Sequence, residues 1–281
     1  MQTPVQIQIV SDFVCPWCYI GKRRLEAALA LRPDLEAGIS WLPFQLSPDM
    51  PREGKDRQAH YAEIFGPERA RAIGEKMIAT AAADGLVFAT LPGARSPNTL
   101  AAHRLMYWAG RMPGIDQNEL AERLFAAHHT LSEDIGDPAV LVRIAAGVGM
   151  DGADLEARLR GNTDEDAVRA LIDEARRAGV SGVPFLIFGQ QQAVSGAQSP
   201  EVFAEFLDQA VAGRRRGGCR ACDRVPVSSL AAARRRLRRR CAFRGGWPGL
   251  AEFRCDCLDL LLRFGLEGFF HRLKGRIRVD A

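Results

Sequence analysis

The chain has 281 residues, of which 47% are hydrophobic and 26% charged. That is the balance of a soluble globular protein with one large domain or two small ones; no apolar run is long enough to span a bilayer, and no membrane partner is expected. The formal net charge of +4 hides a split, because residues 213–281 carry 18 Lys+Arg against 6 Asp+Glu, whereas residues 1–212 carry 20 against 28.

The opening MQTPVQIQIV has no basic n-region and no long apolar stretch, so it does not read as a secretory signal and the expected location is the cytoplasm. Within it, VQIQIV alternates apolar and polar residues and predicts a strand over 5–10. A helix follows, with Leu25, Ala28 and Leu29 on one face, Lys22, Arg23 and Glu26 on the other, and an end near Arg32 before Pro33. ISWLPFQL predicts a second strand over 39–46, interrupted by Pro43. Residues 57–178 are patterned almost wholly as helix, with segments near 68–84, 99–110, 117–130, 138–148 and 165–178 punctuated by Gly, Pro or Asp. VPFLIF then predicts a strand over 183–188, with QQQAVSG as its hairpin partner. SPEVFAEFLDQAV predicts a helix with Ser199 as N-cap and Pro200 at its first position.

This order is strand–helix–strand, a helical block, then strand–strand–helix. It implies an α/β fold whose sheet is split by an all-helical insertion with a small core of its own. The expected spans are 1–50 and 180–212 for the two parts of the α/β domain and 51–179 for the insertion, with 213–281 as a basic tail.

The chemistry concentrates in SDFVCPWCYIGKRRLEAAL, where Cys15 and Cys18 bracket Pro16 and Trp17. Only a thiolate attacks a disulfide, so a working cysteine needs surroundings that favour negative charge. A helix beginning near Pro16 places Cys15 at its N-terminus, where free backbone N–H groups and the helix dipole supply partial positive charge. Cys18 then lies one turn on, placed to resolve a mixed disulfide formed by Cys15. A zinc site needs four ligands, and these are the only two cysteines in residues 1–212. Two inert buried thiols would not call for Pro and Trp between them at a strand–helix junction.

With CPWC and GVSGVPF, and with WLPFQLSPDMP, SPNTLAAHRL, DIGDPAVL and the segment through SGAQSPEVF, residues 4–212 resemble the DsbA-like branch of the thioredoxin superfamily. More narrowly they resemble the FrnE-like disulfide oxidoreductases, relatives of the 2-hydroxychromene-2-carboxylate isomerases and kappa-class glutathione transferases. The resemblance implies a thioredoxin-like fold with a helical insertion, Cys15 as attacking thiolate, Cys18 as resolving thiol, and Pro184 as a cis-proline facing them. The backbone of Val183 would pair with an extended substrate, beside Pro16, Trp17 and Asn98; loop or N-cap duty is the competing reading of Asn98. Ser195, Gly196, Ala197 and Gln198, before the last helix, are candidates for holding glutathione. The implied partners are thiol or disulfide substrates, with glutathione as co-substrate and a homodimer as an assembly to consider. No metal or prosthetic group is required. The rival activity is glutathione-dependent isomerisation or transfer on a small aromatic or polyketide-like substrate; many such relatives carry serine where this chain has Cys15. His103, His128 and His129 read as partly buried polar residues of the helical block.

The tail, GRRRGGCRACDR onward, has three readings. It could bind nucleic acid or an acidic surface through its charge. Cys219, Cys222, Cys241, Cys255 and Cys257 could bind zinc, although CRAC is one pair and CDC is not a usual second one. The favoured reading is a disordered or artefactual segment, since enrichment in Arg, Gly, Ala and Cys is what shifted reading of GC-rich coding sequence gives.

Overall fold

The computed structural model describes residues 4–89, 91–151 and 154–217. The readings made for the tail cysteines and for tail-borne nucleic-acid binding lie outside the described residues.

Strand β1 (Val5–Ser11) leads through a four-residue turn into α1 (Pro16–Ala30), and β2 (Ala37–Pro43) returns beside β1. After the helical block, β5 (Phe185–Phe188), β6 (Gln192–Ser195) and α9 (Pro200–Gly217) complete the α/β part. The sheet order is β2-β1-β5-β6. β1 runs parallel to β2, with Val5 opposite Ala37 and Ser11 opposite Pro43, and antiparallel to β5, with Ile7 opposite Phe188 and Val10 opposite Phe185. β2 is an edge strand, so Pro43 removes no ladder hydrogen bond that the sheet needs.

Alternation along β1 separates two layers. Ile7 and Ile9 face the larger core with Leu25, Phe203 and Leu207 of α1 and α9, whereas Val10 faces Phe185, Ile187, Ala175 and Val180. All four residues of β5 are buried, as an apolar run without alternation requires of a central strand. The second face is covered by α8 (Glu165–Arg177), which belongs by sequence to the 51–179 block and packs on β2 and β5.

Among the described residues, the block between β2 and β5 contains helices and connecting loops with one two-residue ladder, β3 (Lys55–Asp56) with β4 (Arg95–Ser96). It contains α2 (Arg57–Phe65), α3 (Pro67–Ala83), α4 (Leu100–Ala109), α5 (Gln117–Phe125), α6 (Pro138–Ala146) and α7 (Leu155–Arg160) ahead of α8. The predicted helix over 117–130 divides into α5 and a π-helical turn, Ala126–Thr130. Asp116 and Asp137 cap α5 and α6 through bonds to the amides of Asn118 and Ala139.

Lys22 departs from its predicted place on the polar face of α1. Its side chain is 3% exposed, with Nζ 2.5 Å from Glu26 and 2.6 Å from Glu122 of α5. It lies four residues after Cys18, on the same buried stripe, and an ammonium can sit there because two carboxylates reach it. Arg23 and the Tyr19 hydroxyl also bond Glu122, so α1 is clamped to the helical block.

Candidate active site

The backbone between β1 and α1 builds the site. Cys15 is the N-cap of α1, extended at φ −83° and ψ 113°, with Pro16 at the first helical position. The Cys15 amide donates to Asp12 O at 3.1 Å and the Cys18 amide to Cys15 O at 3.1 Å, which winds the first turn and brings the two sulfurs together. Both thiols are free. Their exposures hardly differ, 4% for Cys15 and 1% for Cys18, so position on the helix rather than access separates them. Trp17, between them, is 39% exposed.

Facing the cysteines is the turn before β5. The Val183–Pro184 peptide bond is cis, and Cys15 Sγ donates to Val183 O across 3.5 Å. Strand β5 itself begins at Phe185, two residues after the predicted start. Gly21 of α1 lies against this turn: a Cβ there would sit 3.1 Å from Pro184 Cγ and 3.5 Å from Ala197 Cβ.

Burial first, and then the neighbouring Cys15, push the Cys18 thiol well above its ordinary range, while the Ser11 hydroxyl and the Asp12 backbone oppose them. Behind the pair stands an aromatic floor. Phe13 meets Phe125 at 5.0 Å and His103 at 5.2 Å, Tyr19 meets Phe125 at 5.1 Å, and Phe88 meets His129 at 4.9 Å. His129 Nε2 donates to Phe13 O at 3.0 Å, which holds the turn before Cys15. His128 lies against the buried guanidinium of Arg57, whose Nη2 is 3.1 Å from His128 Nδ1. Burial, then the charge of Arg57, hold His129 down to about 3; burial, His129 and Arg57 hold His128 well below its ordinary value. Both imidazoles are neutral structural groups at neutral pH. His103, on α4, has Nε2 3.4 Å from Asp12 Oδ1, and both residues are buried.

Two further predicted groups are engaged within the protein. The buried Asn98 spends its amide locally: Nδ2 donates to Met50 O at 2.6 Å, and Oδ1 accepts from Gln45 Nε2 at 3.2 Å and Leu100 N at 3.0 Å. These bonds place Asn98 in the loop before α4 and tie it to the helix start. At the start of α9, the Gly196 amide donates to Pro184 O and the Gln198 amide to Gly196 O. Gln198 Nε2 bonds Ser195 O, and Ala197 O accepts from Arg24. Two of the amides read as glutathione donors are thus in use. Among the described residues no group of three or more metal-type ligands occurs.

A family model for the DSBA-like thioredoxin domain matches residues 6–208. The chain belongs to this family. It is similar to a crystal structure described as a probable DsbA oxidoreductase from Streptomyces coelicolor, at 32% identity and a TM-score of 0.65, over 74% of this chain and 90% of that one. It is 27% identical to the Bacillus subtilis protein YwbO over 209 residues, 72% of this chain and 96% of that protein. A 2-hydroxychromene-2-carboxylate isomerase shares the fold at 14% identity and a TM-score of 0.55, covering 75% of this chain and 97% of the isomerase. The cytosolic disulfide reductase DsbM of Pseudomonas aeruginosa shares it at 16% and 0.51, over 74% and 98%. As a DsbA-like protein the chain has an oxidoreductase or related enzyme fold, a thioredoxin-like sheet interrupted by helices.

Sequence reasoning passed over Ser11, Asp12, Gly21, Arg57 and Glu122. Only Asp12 and Gly21 carried a signal, a carboxylate three residues before a cysteine and a glycine inside a helix.

Proposed function

We propose that the protein exchanges thiols and disulfides through Cys15 and Cys18. The observation that carries this is the placement of Cys15 Sγ at the N-terminus of α1, 3.5 Å from Val183 O. A thiolate there meets the positive end of α1, and the carbonyl beside it belongs to a backbone stretch able to pair with an extended thiol or disulfide substrate. Cys15 attacks the substrate disulfide, one sulfur leaves as a thiolate, and a mixed disulfide forms. Cys18, a neutral thiol until then, loses its proton and attacks Cys15, and the intramolecular disulfide forms as the second substrate sulfur departs. Glutathione is the proposed small-molecule co-substrate and the cytoplasm the proposed location, a reading supported by the shared fold of the cytosolic reductase DsbM.

The test equilibrates the full chain in glutathione buffers of defined poise and maps Cys15 and Cys18 by mass spectrometry. A reversible two-electron conversion between dithiol and Cys15–Cys18 disulfide supports the reading, and its midpoint gives the direction of electron flow. Glutathione-dependent isomerase chemistry does not need Cys18. Absence of the disulfide at every poise, with glutathione turnover unchanged in Cys18→Ala, would overturn thiol exchange.

A further inference from the structure

The turn that faces the cysteines is held from outside the sheet. Residues 196–199 join β6 to α9, directly after Ser195 pairs with Phe185 in the ladder. The Gly196 amide donates to Pro184 O at 2.8 Å, which ties this connection to the cis Val183–Pro184 bond beside Cys15 Sγ. The bonds of Gln198, from its amide to Gly196 O and from Nε2 to Ser195 O, stay within the connection. Ala197 O instead reaches outward and accepts from Arg24 Nη1 of α1 at 2.7 Å. Arg24 lies three residues after Gly21, on the face of α1 where the missing side chain of that glycine leaves room for Pro184 and Ala197.

The opposite edge of the guanidinium is fixed too. Nε donates to both oxygens of Asp84, at 2.9 and 3.1 Å, and Nη2 is 2.9 Å from Oδ2. A planar fork held in this way on a carboxylate has its remaining N–H groups aimed in advance. Asp84 has little freedom of its own, because it is the C-cap of α3. The helix closes there in a Schellman arrangement: Leu86 N donates to Ala81 O at 2.9 Å, Gly85 N donates to Ala82 O at 3.1 Å, and Gly85 takes a φ of 73°. Ala81 and Leu86, the apolar pair of that closure, are both buried in the main core. The side chains of Arg24 and Asp84 are 22% and 16% exposed, so neither swings freely in solvent.

We propose that Arg24, braced by Asp84, is a positioning residue that sets the Val183 backbone against Cys15 and so favours extended polypeptide disulfides over small ones. This rests on the thiol-exchange reading. The contacts run without a break from the closed end of α3 through Asp84, Arg24 and Ala197 O to the Gly196–Pro184 bond, and from there to Val183 O and Cys15 Sγ. In the step concerned, the Cys15 thiolate bonds one substrate sulfur and the substrate S–S bond breaks. The electron pair leaves on the other sulfur, which takes a proton from water. A small disulfide has to meet only the thiolate. An extended segment has also to align its own backbone with Val183, and hydrogen bonds weaken steeply when distance and angle depart from their narrow range. A displaced turn therefore costs the polypeptide more than the small molecule.

The experiment mixes reduced full-length protein with either of two disulfides that release the same small thiol. One is bis(2-hydroxyethyl) disulfide, and the other is an unstructured peptide whose single cysteine is held as a mixed disulfide with 2-mercaptoethanol. Acid quenching and mass spectrometry give the rate of protein oxidation by each. Arg24→Met keeps the apolar stem and removes every donor. It should slow oxidation by the peptide about tenfold, while oxidation by the small disulfide and alkylation of Cys15 by iodoacetamide stay within about twofold of wild type. Asp84→Asn should act in the same direction by about threefold, and should add nothing in the Arg24→Met background. If Arg24→Met does not fold, Asp84→Asn alone carries the comparison: a loss confined to the peptide supports the proposal and its absence overturns it. Equal slowing with both disulfides, a peptide rate within about twofold of wild type in Arg24→Met, or additive losses in the double variant would also overturn it. Failure of either disulfide to oxidise the wild type would instead sink the thiol-exchange reading, and the positioning role with it.

Discussion

Replacing Gly21 tests how closely α1 must approach the turn that faces the cysteines. Alanine brings two opposed effects. Glycine inside a helix costs about 1 kcal/mol relative to alanine, so Gly21→Ala gains that much. Against this, the new Cβ would lie 3.1 Å from Pro184 Cγ, a contact that needs the proline ring to give by a few tenths of an ångström. A single ring atom on a turn can yield that far, and the expected stability change is close to zero. Valine adds two methyl groups in the same place, with Ala197 Cβ already 3.5 Å from the new Cβ. Overpacking of this kind costs about 2 kcal/mol, which lowers Tm by roughly 4–8 °C for a domain of this size. Pushing Pro184 outward also carries Val183 O away from Cys15 Sγ. Thermal unfolding followed by circular dichroism reads the first effect, and the rate of disulfide exchange with glutathione reads the second. Gly21→Val as stable as wild type, with an unchanged exchange rate, would refute the packing argument.

Lys22→Met removes the ammonium between Glu26 and Glu122. Arg23 still compensates both carboxylates, so the expected loss is about 2–3 kcal/mol, below the full cost of stripping a buried pair; it is read as a lower urea midpoint with an unchanged slope, and a shift under 1 kcal/mol would refute the clamp. Burial pushes the Glu122 carboxyl up, but Lys22, Tyr19 and Arg23 outweigh it and hold it below its ordinary 4.5. Its contribution is therefore complete above that pH and is lost as pH falls through its lower folded value. His128 and His129 act earlier. The unfolded chain protonates them below about 6.5, while the folded chain keeps His129 neutral down to about 3, so urea midpoints should fall steadily from pH 6.5 toward pH 4. A flat profile across that range would show that the histidines are not buried as neutral groups.

Much of the α/β layer could be read from the chain because its signals are local. The alternation of VQIQIV, the unbroken apolar run of β5 and the Ser199–Pro200 helix start each depend on a few adjacent residues, and CPWC falls where strand meets helix. What escaped depends on partners far away. Lys22 looks like a surface lysine until Glu122, 100 residues on, is seen beside it. The π-helical turn gives no local sequence cue, and His129 within it bonds Phe13 O, 116 residues away. The six-residue α7 is too short for a periodic signal. Asn98 spends its amide on Gln45 and Met50, partners about 50 residues away that no local pattern shows.

The sheet order also sets a timetable for synthesis. Strand β1 sits between β2, which follows it at once, and β5, which leaves the ribosome about 140 residues after β2 ends. At translation rates of about 5–20 residues per second, that gap lasts roughly 7–28 s. Throughout it, the central strand has one edge unpaired, and Ile7 and Ile9 lack the cover of α9. The nascent chain therefore holds an open, apolar sheet edge, a form suited to chaperone capture, and that edge closes when residues 185–195 pair with β1 and with each other.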